Sequence, residues 1–149
     1  MGTEAGHRVR LERVIRADRE QVFRAWTEAG QMKRWFAPQG FTIPEAEVDP
    51  QPGGAFRVIM RAPDGSEHVA RGTFRRVEPP ALLTFTWAWE SGAAEEPEET
   101  LVTVELSEEG SSTRVLLVHE GFSTEADREN HEEGWTSCVE QLVTLLEVA

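Results

Sequence analysis

The most constraining feature of this sequence is a run of six strand-like segments with short turns between them, followed by one long amphipathic helix. The segments occupy residues 41–119, and Pro52-Gly53-Gly54, Pro63-Asp64-Gly65, Pro79-Pro80 and Glu108-Glu109-Gly110 mark turns between them. Such turns favour hairpins, whereas parallel neighbouring strands need crossover connections of a dozen or more residues. The run therefore predicts an antiparallel meander.

Alternation of apolar and polar residues sets the bounds of the predicted elements. We predict strands over 7–16, 41–49, 56–61, 67–77, 83–89, 101–106 and 113–119, helices over 18–28 and 124–148, a helical turn over 31–36 and an acidic loop over 91–99. The pair Asp18 and Gln21 has the spacing of a loose capping box at the start of the first helix. This order predicts an α+β domain, a curved antiparallel sheet wrapped around the C-terminal helix, with two short helices between strands 1 and 2. A single domain over 1–149, with a core over about 8–147, accounts for the whole pattern.

The final helix carries a continuous apolar face, which His131 extends towards the start of the helix. Alternation in the strands gives an equally apolar inward face of the sheet, rich in aromatic rings. These two faces form either a packed core or an apolar cavity with a few polar groups. The residues that would line such a ligand cavity are Phe56, Val58, Met60, Phe74, Phe85, Trp87, Trp89, Val104, Leu117, His119, His131, Trp135 and Cys138.

His119 and His131 are the polar groups of interest, because each ends an apolar register. Three roles are open to them: a hydrogen-bonded structural histidine, recognition of a ligand, and general acid/base catalysis. Cys138 lies in the middle of the apolar helical face, where burial makes a thiol inert. No third ligand stands at metal-site spacing beside the histidines, and the sequence predicts neither a metal nor a cofactor.

The net charge of −12 is unevenly distributed along the chain. Residues 1–76 carry 13 basic and 10 acidic side chains, whereas residues 77–149 carry 2 basic and 17 acidic ones. A negative chain does not suit nucleic acid or an anionic membrane, and no apolar segment has the length of a membrane span. The predicted location is therefore the cytoplasm.

Outward arginines on early strands and acids elsewhere predict two opposed patches and a salt-sensitive homodimer.

A series of short motifs along residues 8–147 resembles one known family. The motifs are Val22-Phe23-Arg24-Ala25-Trp26-Thr27, Lys33-Arg34-Trp35-Phe36-Ala37-Pro38, Val48-Asp49 leading to Pro52-Gly53-Gly54-Ala55-Phe56, Gly72-Thr73-Phe74, Glu78-Pro79-Pro80, Leu83-Thr84-Phe85-Thr86-Trp87, His119-Glu120-Gly121-Phe122 and His131-x-x-Gly134-Trp135-x-x-Cys138-x-x-x-Leu142. Together they resemble the activator-of-heat-shock-chaperone-ATPase homologue domain of the START-like (SRPBCC) superfamily. The resemblance implies the helix-grip fold, with an apolar cavity between sheet and long helix.

Members of that superfamily bind lipids, polyketides, plant hormones or other apolar molecules, and some catalyse cyclisation or hydrolysis. Three hypotheses follow for this chain. The first is a protein that binds a small apolar molecule in the cavity. The second is an enzyme in the same cavity, with His119 or His131 as general acid/base and Glu120 as a helper. The third is a chaperone-regulating or stress-related interaction module that acts through its charged outer surface.

Overall fold

The computed structural model describes residues 7–90 and 99–147. Within these ranges the strands are β1 (Arg8–Ile15), β2 (Thr42–Val48), β3 (Ala55–Arg61), β4 (Glu67–Glu78), β5 (Leu82–Trp89), β6 (Thr100–Glu109) and β7 (Ser112–Glu120). The helices are α1 (Arg19–Thr27), α2 (Ala29–Met32) and α3 (Glu125–Glu147). The predicted order of elements is confirmed. Most of the predicted acidic loop, residues 91–98, and the predicted helix end at residue 148 lie outside the described residues.

The strands form one curved antiparallel sheet in the order β1-β7-β6-β5-β4-β3-β2. The meander predicted from the short turns is confirmed, and β1 pairs with β7 at the far edge, where Val9 lies opposite His119. That register brings the inward residues Val115, Leu117 and His119 of β7 to the same side as Val9. The concave face of the sheet is therefore continuous from the first strand to the last.

The two short helices connect β1 to β2, as predicted, but their bounds differ from the prediction. α1 begins with a capping box, in which Asp18 Oδ1 accepts from the Gln21 backbone N–H at 2.8 Å. α2 begins at Ala29, because Glu28 is extended and separates it from α1. Hydrogen-bonded turns then carry the chain through Trp35, whose ring is buried and whose Nε1–H donates to the Ala25 carbonyl at 2.9 Å. The predicted turn over 31–36 is thus the end of a helical turn that starts two residues earlier.

The C-terminal half of α3 closes one end of the interior. Arg13 of β1 pairs with Glu140, and Glu147 accepts from the Arg16 backbone N–H at 3.0 Å, so this half of α3 runs along the end of β1. Leu142 is fully buried there. Trp26 of α1 packs edge-on against Trp35 at a centroid distance of 4.6 Å. We refer to this region, formed by α1, α2, β1 and residues 139–147 of α3, as the closed end.

The charged surface differs from the predicted pair of separate patches. Glu90 lies between two of the outward arginines: Arg57 donates to it at 2.8 and 3.1 Å, and Arg71 lies 3.8 Å away. The Arg57 guanidinium lowers the pKa of the Glu90 carboxyl. Arg61 pairs with Glu67 at 2.8 Å. Cross-strand neighbours thus neutralise much of the basic face within the chain, because antiparallel pairing puts acids beside these arginines. The homodimer stays a prediction.

No helix in the described ranges combines the length and the apolar composition needed to cross a lipid bilayer.

Candidate functional site

A cleft with a volume of about 630 Å³ opens between the N-terminal half of α3 and the sheet, and we call it the α3 cleft. Strands β3 to β6 supply part of its wall, the segment after α2 supplies another part, and α3 supplies the rest. Its lining residues are Phe36, Pro38, Met60, His68, Trp87, Trp89, Thr100, Asp127, Asn130, His131, Gly134, Trp135 and Cys138.

One stripe of α3 faces the α3 cleft. Its members, at i, i+3, i+4, i+7, i+8 and i+11, are spaced as one face of a helix requires. The middle of the stripe is Gly134, where a Cβ atom would meet no atom within 4 Å. Glycine inside a helix costs about 1 kcal/mol relative to alanine. At this position the missing side chain leaves open space against the cleft.

Aromatic rings form the floor of the α3 cleft. Trp87 lies at its centre and meets Trp89 edge-on at a centroid distance of 5.4 Å, Trp135 at 5.3 Å and Phe36 at 6.0 Å. Phe36 in turn meets Trp135 edge-on at 5.7 Å. Such edge-to-face and tilted contacts add about 0.5–1.5 kcal/mol per pair beyond the buried area. The floor is therefore a rigid, preformed apolar surface.

His119 lies behind this floor and is fully buried. The Trp135 Nε1–H donates to its Nδ1 at 2.9 Å, so Nδ1 carries no proton. Its Nε2–H then donates to the Thr100 hydroxyl at 2.6 Å, and that hydroxyl donates to the Trp87 carbonyl at 3.2 Å. Burial, with a smaller effect of His131, lowers the pKa of His119 to about 2. The imidazole is a neutral link in a complete hydrogen-bond chain.

His131 holds the second indole in the same way, but with the opposite tautomer. Its Nε2 accepts from the Trp89 Nε1–H at 3.0 Å, and its Nδ1–H donates to the Asp127 carbonyl at 2.8 Å. The two imidazoles meet edge-on at 5.2 Å, and the Phe122 ring lies 4.4 Å from His119 and 4.6 Å from His131. All four ring nitrogens are engaged. Each histidine therefore fixes a tryptophan ring, and neither presents an open nitrogen for acid/base chemistry in this arrangement.

The structure divides the sequence-predicted ligand residues into two groups. Met60, Trp87, Trp89, His131, Trp135 and Cys138 line the α3 cleft. The others lie in the packed core or behind the floor, each at most 3% exposed; they are Phe56, Val58, Phe74, Phe85, Val104, Leu117 and His119. The reason is a second aromatic cluster, in which Phe56 meets Phe85 at 5.2 Å and Phe74 at 5.9 Å. These rings fill the space beneath that part of the sheet, so ligand contact there is not supported.

Seven lining residues were not among those predicted: Phe36, Pro38, His68, Thr100, Asp127, Asn130 and Gly134. Three of them, Asp127, Asn130 and Gly134, could have been found from helical spacing, because they share the face of His131 and Trp135. The remainder reach the cleft from loops and strands distant in sequence, and no local pattern indicates that placement.

Cys138 is 6% exposed at the edge of the α3 cleft. Burial raises the pKa of its thiol to about 12, so the reactive thiolate is scarce at neutral pH. This agrees with the inert role expected for it from the sequence.

A curved antiparallel sheet around one long C-terminal helix, with two short helices after the first strand, defines a domain of the helix-grip class. Residues 16–147 match the family model described as Activator of Hsp90 ATPase homolog 1-like protein. The chain belongs to this family, as the sequence motifs predicted.

Solved structures of similar proteins share the whole fold. The chain is 26% identical to protein CV1439 from Chromobacterium violaceum, with a TM-score of 0.86 over 95% of this chain and 97% of that one. It is also 26% identical to the AHSA1 protein from Silicibacter pomeroyi, with a TM-score of 0.86 over 95% and 98%. Protein NE0264 from Nitrosomonas europaea is 28% identical, with a TM-score of 0.81 over 97% and 96%. A search among curated proteins finds no match.

Proposed function

We propose that this protein binds a small, largely apolar organic molecule in the α3 cleft. The observation that carries the proposal is the empty space at Gly134, next to a floor of fixed aromatic rings. Ligand pockets typically have volumes of about 300–1,000 Å³ and are apolar with a few polar groups. The α3 cleft, at about 630 Å³, has that size and that composition.

The hydrogen bonds behind the floor support the same proposal. Trp89 and Trp135 each donate to a histidine, so their rings keep their orientation whether or not the cleft is occupied. A preformed surface loses little conformational entropy when a ligand binds. This arrangement suits recognition of a flat or rigid apolar molecule by shape.

The most direct test places a large side chain at residue 134, where it would fill part of the cleft. In Gly134→Leu, the new side chain would occupy space where no atom lies within 4 Å of the added Cβ. With the uncharged fluorescent probe N-phenyl-1-naphthylamine, we expect saturable binding to the wild-type chain with one site. The variant should bind it at least roughly tenfold more weakly, since a blocked apolar site loses over 1.4 kcal/mol.

The matched control is Gly30→Leu, because Gly30 is a helical glycine in α2 and an added Cβ there also meets nothing within 4 Å. Gly30 is exposed and does not line the α3 cleft. This control should bind the probe as the wild-type chain does. Absence of saturable binding to the wild type, or equal affinity in wild type and Gly134→Leu, would refute the proposal.

The two other hypotheses have less support. An acid/base enzyme built on His119 or His131 needs one of their ring nitrogens open to the cleft, and hydrogen bonds within the chain engage all four. A chaperone-regulating role rests on the description of the family alone. It stays a prediction, which pull-down with the host Hsp90 and its ATPase rate would test.

A further inference from the structure

We propose that the α3 cleft selects aromatic molecules that carry an amine, and that the Asp127 carboxylate recognises that group and disfavours acids. This inference rests on the proposed function. It concerns the class of ligand, and it follows from the charges and hydrogen-bond donors around the cleft.

The described lining of the α3 cleft offers no lysine or arginine to an acidic ligand. Asp127 is the carboxylate among the lining residues. Residues 1–6, 91–98 and 148–149, which the structure does not describe, contain no lysine or arginine either. A carboxylate or phosphate entering an apolar site without a cation loses hydration without compensation.

Most hydrogen-bond donors of the floor are already used within the chain. The Nε1–H of Trp89 and that of Trp135 donate to histidines, and the Thr100 hydroxyl donates to the Trp87 carbonyl. The Trp87 Nε1–H has no partner among the described residues, but it is buried beneath the surface of the floor. A ligand that offers only acceptor atoms therefore meets few partners along this floor.

Asp127, by contrast, is an acceptor held in place. Its backbone N–H donates to the Thr124 hydroxyl at 3.1 Å, and its carbonyl accepts from His131, so the residue is anchored at both backbone groups. Within the described ranges its carboxylate forms no ion pair, since the adjacent Arg128 binds Glu125 and Glu132 at 2.8 and 2.6 Å. The residue is half-buried and shares the cleft-facing stripe of α3 with His131 and Gly134.

The aromatic floor strengthens the preference for a positive charge. Trp87, Trp89 and Trp135 lie around one centre, and the face of an indole ring is electron-rich whereas its edge is electropositive. A cation close to an indole face is attracted to it. An ammonium group beside Asp127 would meet both the carboxylate and the nearby rings, whereas its aromatic part would occupy the space left by Gly134.

Three matched ligands test this inference at pH 8, where an alkylamine is protonated and a carboxylic acid is ionised. They are 2-naphthylmethylamine, 2-naphthylmethanol and 2-naphthoate, which share one ring system and differ in charge. Calorimetric titration of the wild-type chain should give about tenfold tighter binding of the amine than of the alcohol, and weaker binding still of the acid. In Asp127→Asn, the preference for the amine should fall to about threefold or less, because only the indole faces still favour the cation.

The matched control is Glu129→Gln, which removes the same charge from α3 at an exposed residue that does not line the cleft. It should keep the tenfold preference for the amine. Equal binding of the three ligands would overturn this inference and leave the proposed function standing, as would a preference unchanged in Asp127→Asn. Binding of none of the three would overturn this inference, and the proposed function would fall with it if the fluorescent probe also fails to bind.

Discussion

The closed end and the α3 cleft are built from the same helix and the same kinds of side chain, yet one is sealed and the other is open. In the closed end, Leu142 of α3 is fully buried. Two turns earlier, the corresponding face of α3 presents Gly134, and no atom comes near the position of its absent Cβ. A single apolar stripe thus serves as core at one end and as the wall of a cleft at the other.

The hydrogen-bond acceptors of the tryptophan indoles also differ between the two ends. In the closed end, the Trp35 Nε1–H donates to the Ala25 carbonyl, a backbone group left available by the end of α1. At the α3 cleft, the indoles of Trp89 and Trp135 donate to histidines instead. His119, which is buried, and His131, which is half-buried, supply acceptors for tryptophan, and this role accounts for their place among aromatic rings without a catalytic function.

Truncation of one apolar side chain at each end should give the largest difference in stability between the two regions. We expect Leu142→Ala to lower the free energy of unfolding by about 4 kcal/mol, because it leaves a closed cavity. Met60→Ala removes a side chain of similar size that is 4% exposed at the cleft. Its cost should be nearer 2 kcal/mol, since the vacated space joins the cleft.

Urea denaturation of both variants measures this difference, provided that the slope with denaturant equals that of the wild type. Equal losses would mean that both ends are sealed to the same degree, which would contradict the open cleft.

The buried imidazole should make stability depend on pH in a predictable direction. The pKa of His119 is about 2 in the folded chain, against 6.5 as its ordinary value, so protons bind the unfolded chain first. This contribution is complete above pH 6.5 and is lost progressively as the pH falls towards 2. Between pH 7 and pH 5, the loss of this contribution lowers the free energy of unfolding by about 2 kcal/mol.

His119→Gln provides the comparison, since an amide offers an acceptor and a donor but does not titrate in this range. The wild-type chain should lose about 2 kcal/mol more than the variant between pH 7 and pH 5, measured by urea denaturation at each pH. Parallel losses in the two proteins would show that His119 accepts a proton in the folded state, as an imidazole open to solvent would.

The sequence was sufficient to predict the sheet, because period-2 alternation and hairpin turns are local signals. It also brought His131, Trp135 and Cys138 to one face of α3, because helical spacing is local too. It could not separate Trp87 and Met60, which line the cleft, from Phe85 and Val58, which lie in the core. All four occupy the same inward register, and only the position of α3 and of the segment after α2 decides which of them is covered. Pattern alone likewise gave no reason to expect Phe36 at the cleft.

The smallest expected effect on stability is at Gly134, and it is a gain where the other variants lose stability. Gly134→Ala should raise the free energy of unfolding by about 1 kcal/mol, because alanine favours helix and its Cβ meets no atom within 4 Å. Gly72→Ala is the contrasting variant, since its Cβ would lie 1.8 Å from the Thr86 carbonyl oxygen, and it should be strongly destabilising. Thermal and urea denaturation of both variants provide the measurement. A destabilised Gly134→Ala would mean that other parts of the chain approach α3 closely at residue 134, in which case the cleft would be closed and the contrast between the two ends of α3 would disappear.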